Sequence, residues 1–177
     1  WVVNGEKMWI TNAGFADLFV VYATIDPSLK HKGISAIVID PKESTGIEIG
    51  KPEEKMGHKC SDTRGVRFNN VKVPKENMLG KPGEGWKIAM KTLDHSRPMV
   101  ASSAVGGAQC AFDYSAKYAS ERQQFGKPIA SFQSIQFMVA EMAMKIEAAR
   151  LLVTKAAWLV DNNQPNTQLA SYAKAFA

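Results

Sequence analysis

The sequence GKPGEG at residues 80–85 decides how this chain of 177 residues folds, because the spacing of its apolar residues changes there. Before it, short β-branched and aromatic runs are bounded by Gly, Pro and Asp, which is typical of strands. After it, from Trp86 onward, apolar residues recur with a helical period. The glycines do not complete a G-x-G-x-x-G phosphate loop, because Ile88 stands at the last position, so we expect them to shape the start of the first helix. The sequence therefore predicts an α+β chain with domains at residues 1–80 and 81–177.

The first domain is predicted to be an antiparallel β-sandwich or barrel. Asn4-Gly5 lies between the strand-like residues 1–3 and 8–10, and this dipeptide is typical of a two-residue hairpin, because both turn positions favour positive φ. Further strands are expected at residues 18–25, 34–39, 46–49 and 66–73. Turn residues separate these strands at short spacing, which favours antiparallel over parallel pairing.

The second domain is predicted to be an antiparallel helical bundle with an incomplete third helix. Helices are expected from Trp86 onward, over residues 131–159, and from Thr167. Pro98 predicts a kink in the first helix. Gly106 and Gly107 are costly inside a helix, so we expect a neighbour or a ligand to approach closely there. The chain begins in a strand pattern and ends within a helical one, and we expect it to be an internal portion of a longer protein.

The composition favours a soluble globular protein. The chain is 45% hydrophobic and 22% charged, with a formal net charge of +5. Its basic residues are scattered, so nucleic-acid binding is not expected. No apolar run is long enough for stable membrane insertion. The two cysteines and three histidines lack ligand spacing, so we assign no metal site and no disulfide.

Several short segments, taken in their order and spacing, make the chain resemble the acyl-CoA dehydrogenase family, and its medium-chain and short-chain members in particular. They include ERQQFG at 121–126, and the others lie at residues 4–12, 33–36, 55–57, 60–65, 71–77, 85–90, 94–97 and 140–145. The resemblance implies a sandwich domain and a helical bundle that enclose FAD. It also implies α,β-dehydrogenation of an acyl-CoA thioester, with hydride passing to flavin N5 and electrons to an electron-transfer flavoprotein. A homodimer or homotetramer is implied, in the mitochondrial matrix or the bacterial cytoplasm.

The resemblance assigns Trp9 and Thr11 to the flavin. Trp9 would lie against the isoalloxazine, and Thr11 would hydrogen-bond at its N5/O4 edge and tune the hydride acceptor. Taken alone, Trp9 is more typical of a core aromatic residue, and the alternative for Thr11 is a strand-end hydroxyl satisfied by its own backbone.

Arg122, Phe125 and Gln133 are implied to contact the FAD of a neighbouring subunit. A guanidinium is a rigid fork of N–H donors that suits a pyrophosphate, and an aromatic ring can pack beside the cofactor. Gln133 would add a polar contact to the same FAD. Without the resemblance, an arginine at a helix end is more typically a solvated charge.

Asp94 and Arg97 are implied to bind the CoA moiety of the substrate. Arg97 suits the phosphates or carbonyls of CoA, and Asp94 can accept from its hydroxyl or amide groups. The alternative is an intrahelical ion pair at i, i+3.

No catalytic residue is assigned. Proton abstraction beside a thioester needs a placed base, and the family usually supplies a Glu from beyond the third helix. Ser96 occupies the position where a minority of members carry the base, and serine cannot serve as that carboxylate. Four acidic residues were considered and none is favoured: Asp94, Glu121, Glu141 and Glu147. The base is therefore expected outside this chain, which alone should have little turnover.

Two other functions stay open on the sequence. One is a flavin oxidase or monooxygenase on the same scaffold, which oxygen access would decide. The other is a catalytically silent flavin-binding subunit. The length of the acyl chain is not readable from these residues.

Overall fold

The computed structural model describes residues 1–177, which divide into two compact units, Trp1–Ala89 and Met90–Ala177. The six strands of the first unit are β1 (Val2–Thr11), β2 (Phe19–Thr24), β3 (Ile34–Ile39), β4 (Ile47–Pro52), β5 (Thr63–Lys72) and β6 (Met78–Leu79). They are followed by α1 (Gly85–Glu121), β7 (Gln123–Gln124), β8 (Lys127–Pro128), α2 (Gln133–Asp161) and α3 (Thr167–Phe176). The predicted strands and helices are thus present, with bounds that differ by a few residues.

The first unit is an antiparallel sandwich, as predicted. One sheet has the strand order β1-β5-β4 and the other β2-β3-β6, with every neighbouring pair antiparallel. Buried side chains of both sheets form one core, in which the rings of Phe19 and Phe68 meet edge to face with centroids 6.5 Å apart. Ile39 and Val71 are completely buried in it, and each contributes about 1.5–3 kcal/mol relative to an exposed side chain.

The hairpin predicted at Asn4-Gly5 is wrong. β1 runs unbroken through this dipeptide and pairs with β5 on both sides of it. The register shifts beside Asn4, because β5 carries one extra residue there. The Asn4 side chain accepts the backbone N–H of Asn70 at 2.7 Å, and Asn70 has φ +52°. The Asn-Gly signal therefore marks a β-bulge rather than a chain reversal.

The bulge at Asn70 shifts the alternation of buried residues in β5. Val66 and Phe68 are buried before it, and Val71 and Val73 after it. These two pairs are out of phase by one residue, so a regular strand would turn one of them toward solvent. The extra residue keeps both in the core.

A second irregularity lies at Gly65 of β5. Opposite this one residue, β1 has Met8 and Trp9, and β4 has Gly50 and Lys51. Both neighbours of β5 therefore bulge at the same point. Trp9 takes φ +62°, a left-handed conformation that is uncommon for a bulky residue.

The glycines at residues 80–85 shape the start of α1, as expected. The backbone N–H of Gly83 donates to Ser35 Oγ at 3.0 Å, and Gly83 has φ +85°. A Cβ on Gly85 would lie 2.5 Å from the carbonyl carbon of Ser35. The helix can begin this close to β3 only because position 85 has no side chain.

The three helices of the second unit pack through small side chains. Ala101 of α1, Ala156 of α2 and Ala173 of α3 form one buried cluster. α1 is continuous through Pro98. No other part of this chain approaches Gly106 or Gly107 closely, because a Cβ on either would meet nothing within 4 Å.

The face of α2 opposite this core carries a second apolar stripe. Its members recur every seven residues and are each more than half exposed: Phe137 (64%), Met144 (67%), Leu151 (61%) and Trp158 (54%). A spacing of seven residues is close to two helical turns, so these side chains share one face. None of the helices has the combination of length and apolarity needed to span a membrane.

Candidate functional site

Trp9 and Thr11 lie at the bulged end of β1 with their side chains toward solvent. The Trp9 indole is 67% exposed, so it is not the core aromatic residue that its size would otherwise indicate. Thr11 is also exposed, and its hydroxyl makes no hydrogen bond within the chain. β1 therefore offers a flat apolar surface and, two residues later, an unused donor and acceptor.

A network of hydrogen bonds that the sequence did not reveal lies behind this end of β1. Asp62 accepts from the backbone N–H of Gly14 at 2.8 Å and from Arg64 Nε at 2.7 Å. The Gly14 N–H, assisted by Arg64 and Lys55, holds the pKa of the Asp62 carboxyl below its usual range, although burial opposes this. Asp62 and Arg64 are neighbours in the SDTR motif, but Gly14 lies 48 residues away in the sequence, so the sequence alone could not reveal the contact between them.

ERQQFG ends α1 and forms a short hairpin between β7 and β8. Phe125 and Gly126 are its two turn residues, with φ +53° and +77°. Phe125 is 92% exposed and meets the Phe132 ring edge to face, with centroids 6.1 Å apart. Nothing in the sequence indicates that Phe125 has a positive φ, because Asn or Gly usually occupies such a turn position.

Arg122 precedes the hairpin, Phe125 lies in its turn, and Gln133 begins the helix that follows. The carbonyl of Arg122 accepts from the N–H of Ile129 at 2.8 Å, which closes the base of the hairpin. The Phe125–Phe132 contact brings the turn toward the first residue of α2, Gln133. The Arg122 guanidinium is exposed and has no hydrogen bond or ion pair in the chain.

Asp94 and Arg97 lie together on α1, beside the start of α3. Asp94 Oδ2 accepts from Thr167 Oγ1 at 2.6 Å, and Arg97 donates to Ser171 Oγ at 3.2 Å. The two charged groups are 3.8 Å apart, so the intrahelical ion pair forms without a direct hydrogen bond. The sequence does not indicate that Thr167 and Ser171 bind these residues, because no sequence pattern shows that α3 packs against this part of α1.

Unused polar atoms remain around Asp94. Asp94 Oδ1 and Asn166 Oδ1 are buried and make no hydrogen bond. Asp94 and Asn166 line a cavity of about 320 Å³ that also includes Lys91 and His95. Two orphaned acceptors beside the Lys91 ammonium suit a ligand with both N–H or O–H donors and anionic groups.

The other acidic residues considered as a base are engaged in ion pairs. Glu121 pairs with Lys117 at 3.9 Å, and Glu147 with Arg150 at 3.7 Å. Glu141 lies 2.6 Å from Lys145, which holds the pKa of its carboxyl below the usual range. A carboxylate with a lowered pKa is a weak base.

The exposed groups have the chemistry that a flavin dinucleotide requires. An indole and a phenyl ring stand clear of the core, at Trp9 and Phe125. The Thr11 hydroxyl and the Arg122 guanidinium are free to bind a polar ring edge and a phosphate, respectively. We therefore find that these residues fit FAD.

Two sequence models of protein families match the chain. The acyl-CoA dehydrogenase middle domain matches residues 1–71, and the acyl-CoA dehydrogenase C-terminal domain matches residues 83–177.

Individual relatives agree with these matches. The chain is 48% identical over its full length to the probable acyl-CoA dehydrogenase YngJ of Bacillus subtilis (strain 168), covering 47% of that protein. It is 47% identical over its full length to the mitochondrial short-chain specific acyl-CoA dehydrogenase of Rattus norvegicus, covering 43% of it. The structure of butyryl-CoA dehydrogenase from Megasphaera elsdenii superposes with a TM-score of 0.94 at 46% identity, over 99% of this chain and 45% of that one. The chain thus spans less than half the length of these relatives. Because one family model alone matches more than half of the chain and the other matches most of the rest, the chain belongs to the acyl-CoA dehydrogenase family.

Proposed function

We propose that this chain is part of an FAD-dependent enzyme that dehydrogenates the α,β bond of an acyl-CoA thioester. Electrons would then pass to an electron-transfer flavoprotein. Membership of the family supports the reaction class, and the name of the Megasphaera elsdenii relative supports a short acyl chain. The names of the relatives also support a mitochondrial or bacterial location.

One observation carries the proposal. Each unit presents an exposed aromatic ring at positive φ, close in sequence to a polar side chain that no residue of the chain binds. The pairs are Trp9 with Thr11 and Phe125 with Arg122. Bulky residues at positive φ are costly and are found where function requires them.

The proposed roles follow from these side chains. Trp9 would pack against the flavin ring, and Thr11 would hydrogen-bond to its polar edge. Arg122 would bind the pyrophosphate of an FAD held by a second subunit, with Phe125 and Gln133 beside it, so that cofactor binding and assembly of a homodimer or homotetramer are linked. Bound FAD would supply the hydride acceptor.

Substrate would be held at α1. Arg97 would attract the phosphates of CoA, and the unsatisfied Asp94 Oδ1 would accept from a hydroxyl or amide of the same ligand. The four acidic residues considered above are engaged, so we propose that a carboxylate outside this chain takes the α-proton.

The first test is cofactor binding followed by substrate reduction. The full-length protein is expected to bind FAD, and butyryl-CoA added without oxygen is expected to bleach the visible flavin band. Comparison with an assay in air distinguishes a dehydrogenase from an oxidase. A protein that emerges colourless and does not take up added FAD would contradict the proposal.

Arg122→Ala tests the pyrophosphate contact. We expect the Kd for FAD to rise at least tenfold, with an unchanged denaturation midpoint, because the guanidinium has no partner within the chain. Arg150→Ala is the matched control. Its guanidinium is already bound to Gln109 Oε1 at 2.6 Å, so FAD affinity should not change. Unchanged flavin content in the Arg122 variant would refute the assignment.

A further inference from the structure

The carboxylate of Asp62 and the guanidinium of Arg64 tie together the ends of three strands. Asp62 accepts from Gly14 in the loop after β1, and from Arg64 on β5. Arg64 also donates to the carbonyl of Gly50, in the bulge of β4, at 3.2 Å. The backbone adds a further bond, from the N–H of Asn12 to the carbonyl of Asp62 at 2.9 Å. Two side chains therefore link the loop after β1 to β5 and to the bulge of β4.

The position of Gly14 indicates how tightly this link is packed. A Cβ on Gly14 would lie 2.5–2.6 Å from three atoms of the Arg64 guanidinium group. Gly14 is not among the residues with positive φ. The Arg64 guanidinium can therefore lie over the backbone here because position 14 has no side chain, and an alanine at this position would displace it.

The linked segment contains the residues proposed to contact the flavin. Trp9 lies in the β1 bulge opposite Gly65, the residue directly after Arg64, and Thr11 is the last residue of β1 to pair with β5. Both Trp9 (φ +62°) and Asn12 (φ +63°) have left-handed backbones. Such conformations persist only when the surrounding structure holds them.

We infer that Asp62 and Arg64 are positioning residues, which hold the β1 bulge in the conformation that presents Trp9 and Thr11 to the flavin. This inference rests on the proposed function. Neither side chain contacts the cofactor in this role. The two act by fixing the loop that follows Thr11 and the β4 bulge on the other side of β5.

A second ion pair between the same strands provides the contrast. Arg67 on β5 lies 2.6 Å from Glu6 on β1, but both side chains are more than half exposed and bond only to each other. Asp62 and Arg64 are 11% and 26% exposed, and both also bind backbone groups. An exposed pair contributes little to stability, so Glu6 and Arg67 supply a control that is close in sequence and in chemistry.

The test compares Asp62→Asn with Glu6→Gln, since each exchanges one carboxylate for its amide. In Asp62→Asn, an NH₂ group must face the N–H of Gly14 or the Nε–H of Arg64. We expect amide hydrogen exchange at Gly14 to accelerate at least tenfold, the indole N–H resonance of Trp9 to move, and the Kd for FAD to rise at least tenfold. In Glu6→Gln, the exchange rate at Gly14 and the Kd for FAD should stay within twofold of those of the unmodified protein, and the indole N–H resonance of Trp9 should keep its position. The first two measurements use the protein without FAD.

A second variant distinguishes a local effect on the Asp62–Arg64 pair from a general loss of folding. Gly14→Ala leaves the Asp62 carboxylate intact and displaces the Arg64 guanidinium. It should likewise accelerate amide exchange at position 14, move the indole resonance of Trp9 and raise the Kd for FAD. If Trp9 and Gly14 are unaffected in both variants, the positioning role is overturned. If Trp9 moves but FAD affinity stays within twofold, its link to the flavin is overturned. If the unmodified protein binds no FAD, the proposed function fails, while the exchange and resonance data still decide whether the pair holds the bulge.

Discussion

Trp9 and Phe125 share a combination of properties that stability alone does not favour. Each is bulky, has positive φ and is more than 60% exposed. A left-handed residue other than glycine costs about 1–3 kcal/mol, and an exposed ring regains little of this by burial. The sequence predicted both rings as ligand contacts, but it could not reveal the backbone strain, which depends on partners such as Gly65.

Trp9→Asn tests whether the positive φ of Trp9 lowers the stability of the protein. Asparagine tolerates positive φ, so we expect the free energy of unfolding to rise by about 0.5–1 kcal/mol. The control is Trp158→Asn, at a similarly exposed helical position, which should lower it because asparagine is a weaker helix former. Both are measured by denaturant titration. A clear loss of stability in Trp9→Asn would contradict the presence of strain.

At the scale of elements, the sequence predicted those strands and helices that depend on interactions between residues close together in the chain. The β3 strand and the start of α3 at Thr167 lie where the sequence placed them. The pattern failed at Asn4-Gly5, because a bulge and a hairpin use the same residue types and only a partner strand distinguishes them. Nor does the pattern identify what approaches Gly106 and Gly107, since the neighbour of a helix face is not encoded within the helix.

Two glycines of α1 should respond in opposite directions to replacement by alanine. Gly85→Ala places a Cβ 2.5 Å from the backbone of Ser35, and we expect a loss of more than about 2 kcal/mol through strain. Gly106→Ala meets nothing and should gain about 0.5–1 kcal/mol through helix propensity. Thermal and denaturant unfolding of the two variants measure the difference. Equal effects would show that the contact at Gly85 relaxes easily.

At the scale of the whole molecule, both units expose apolar surface. The stripe on α2 is the most regular example, since it follows one face of the helix over three heptads. Isolated exposed apolar residues are common in proteins, but a continuous patch favours association. The sequence predicted the helix, but the stripe is hard to read from it, because alanine and charged residues separate its members.

We expect the isolated chain to self-associate through this stripe. Met144→Gln should weaken association severalfold in sedimentation velocity experiments, because it places a polar group in the middle of the face. Met138→Gln is the control, on the same helix and 59% exposed, but outside the stripe. A chain that is monomeric at all accessible concentrations would contradict this expectation.

The extra residue at Trp9 also decides which side chains of β1 face the core. Lys7 and Ile10 both line the same opening between the two sheets, although residues three positions apart lie on opposite faces of a regular strand. If β1 paired regularly with β5 at the same chain length, Thr11 would replace Ile10 on the inner side and carry its hydroxyl into an apolar environment. A change that straightens β1 here without altering its length would therefore disturb the core far more than a substitution of the indole.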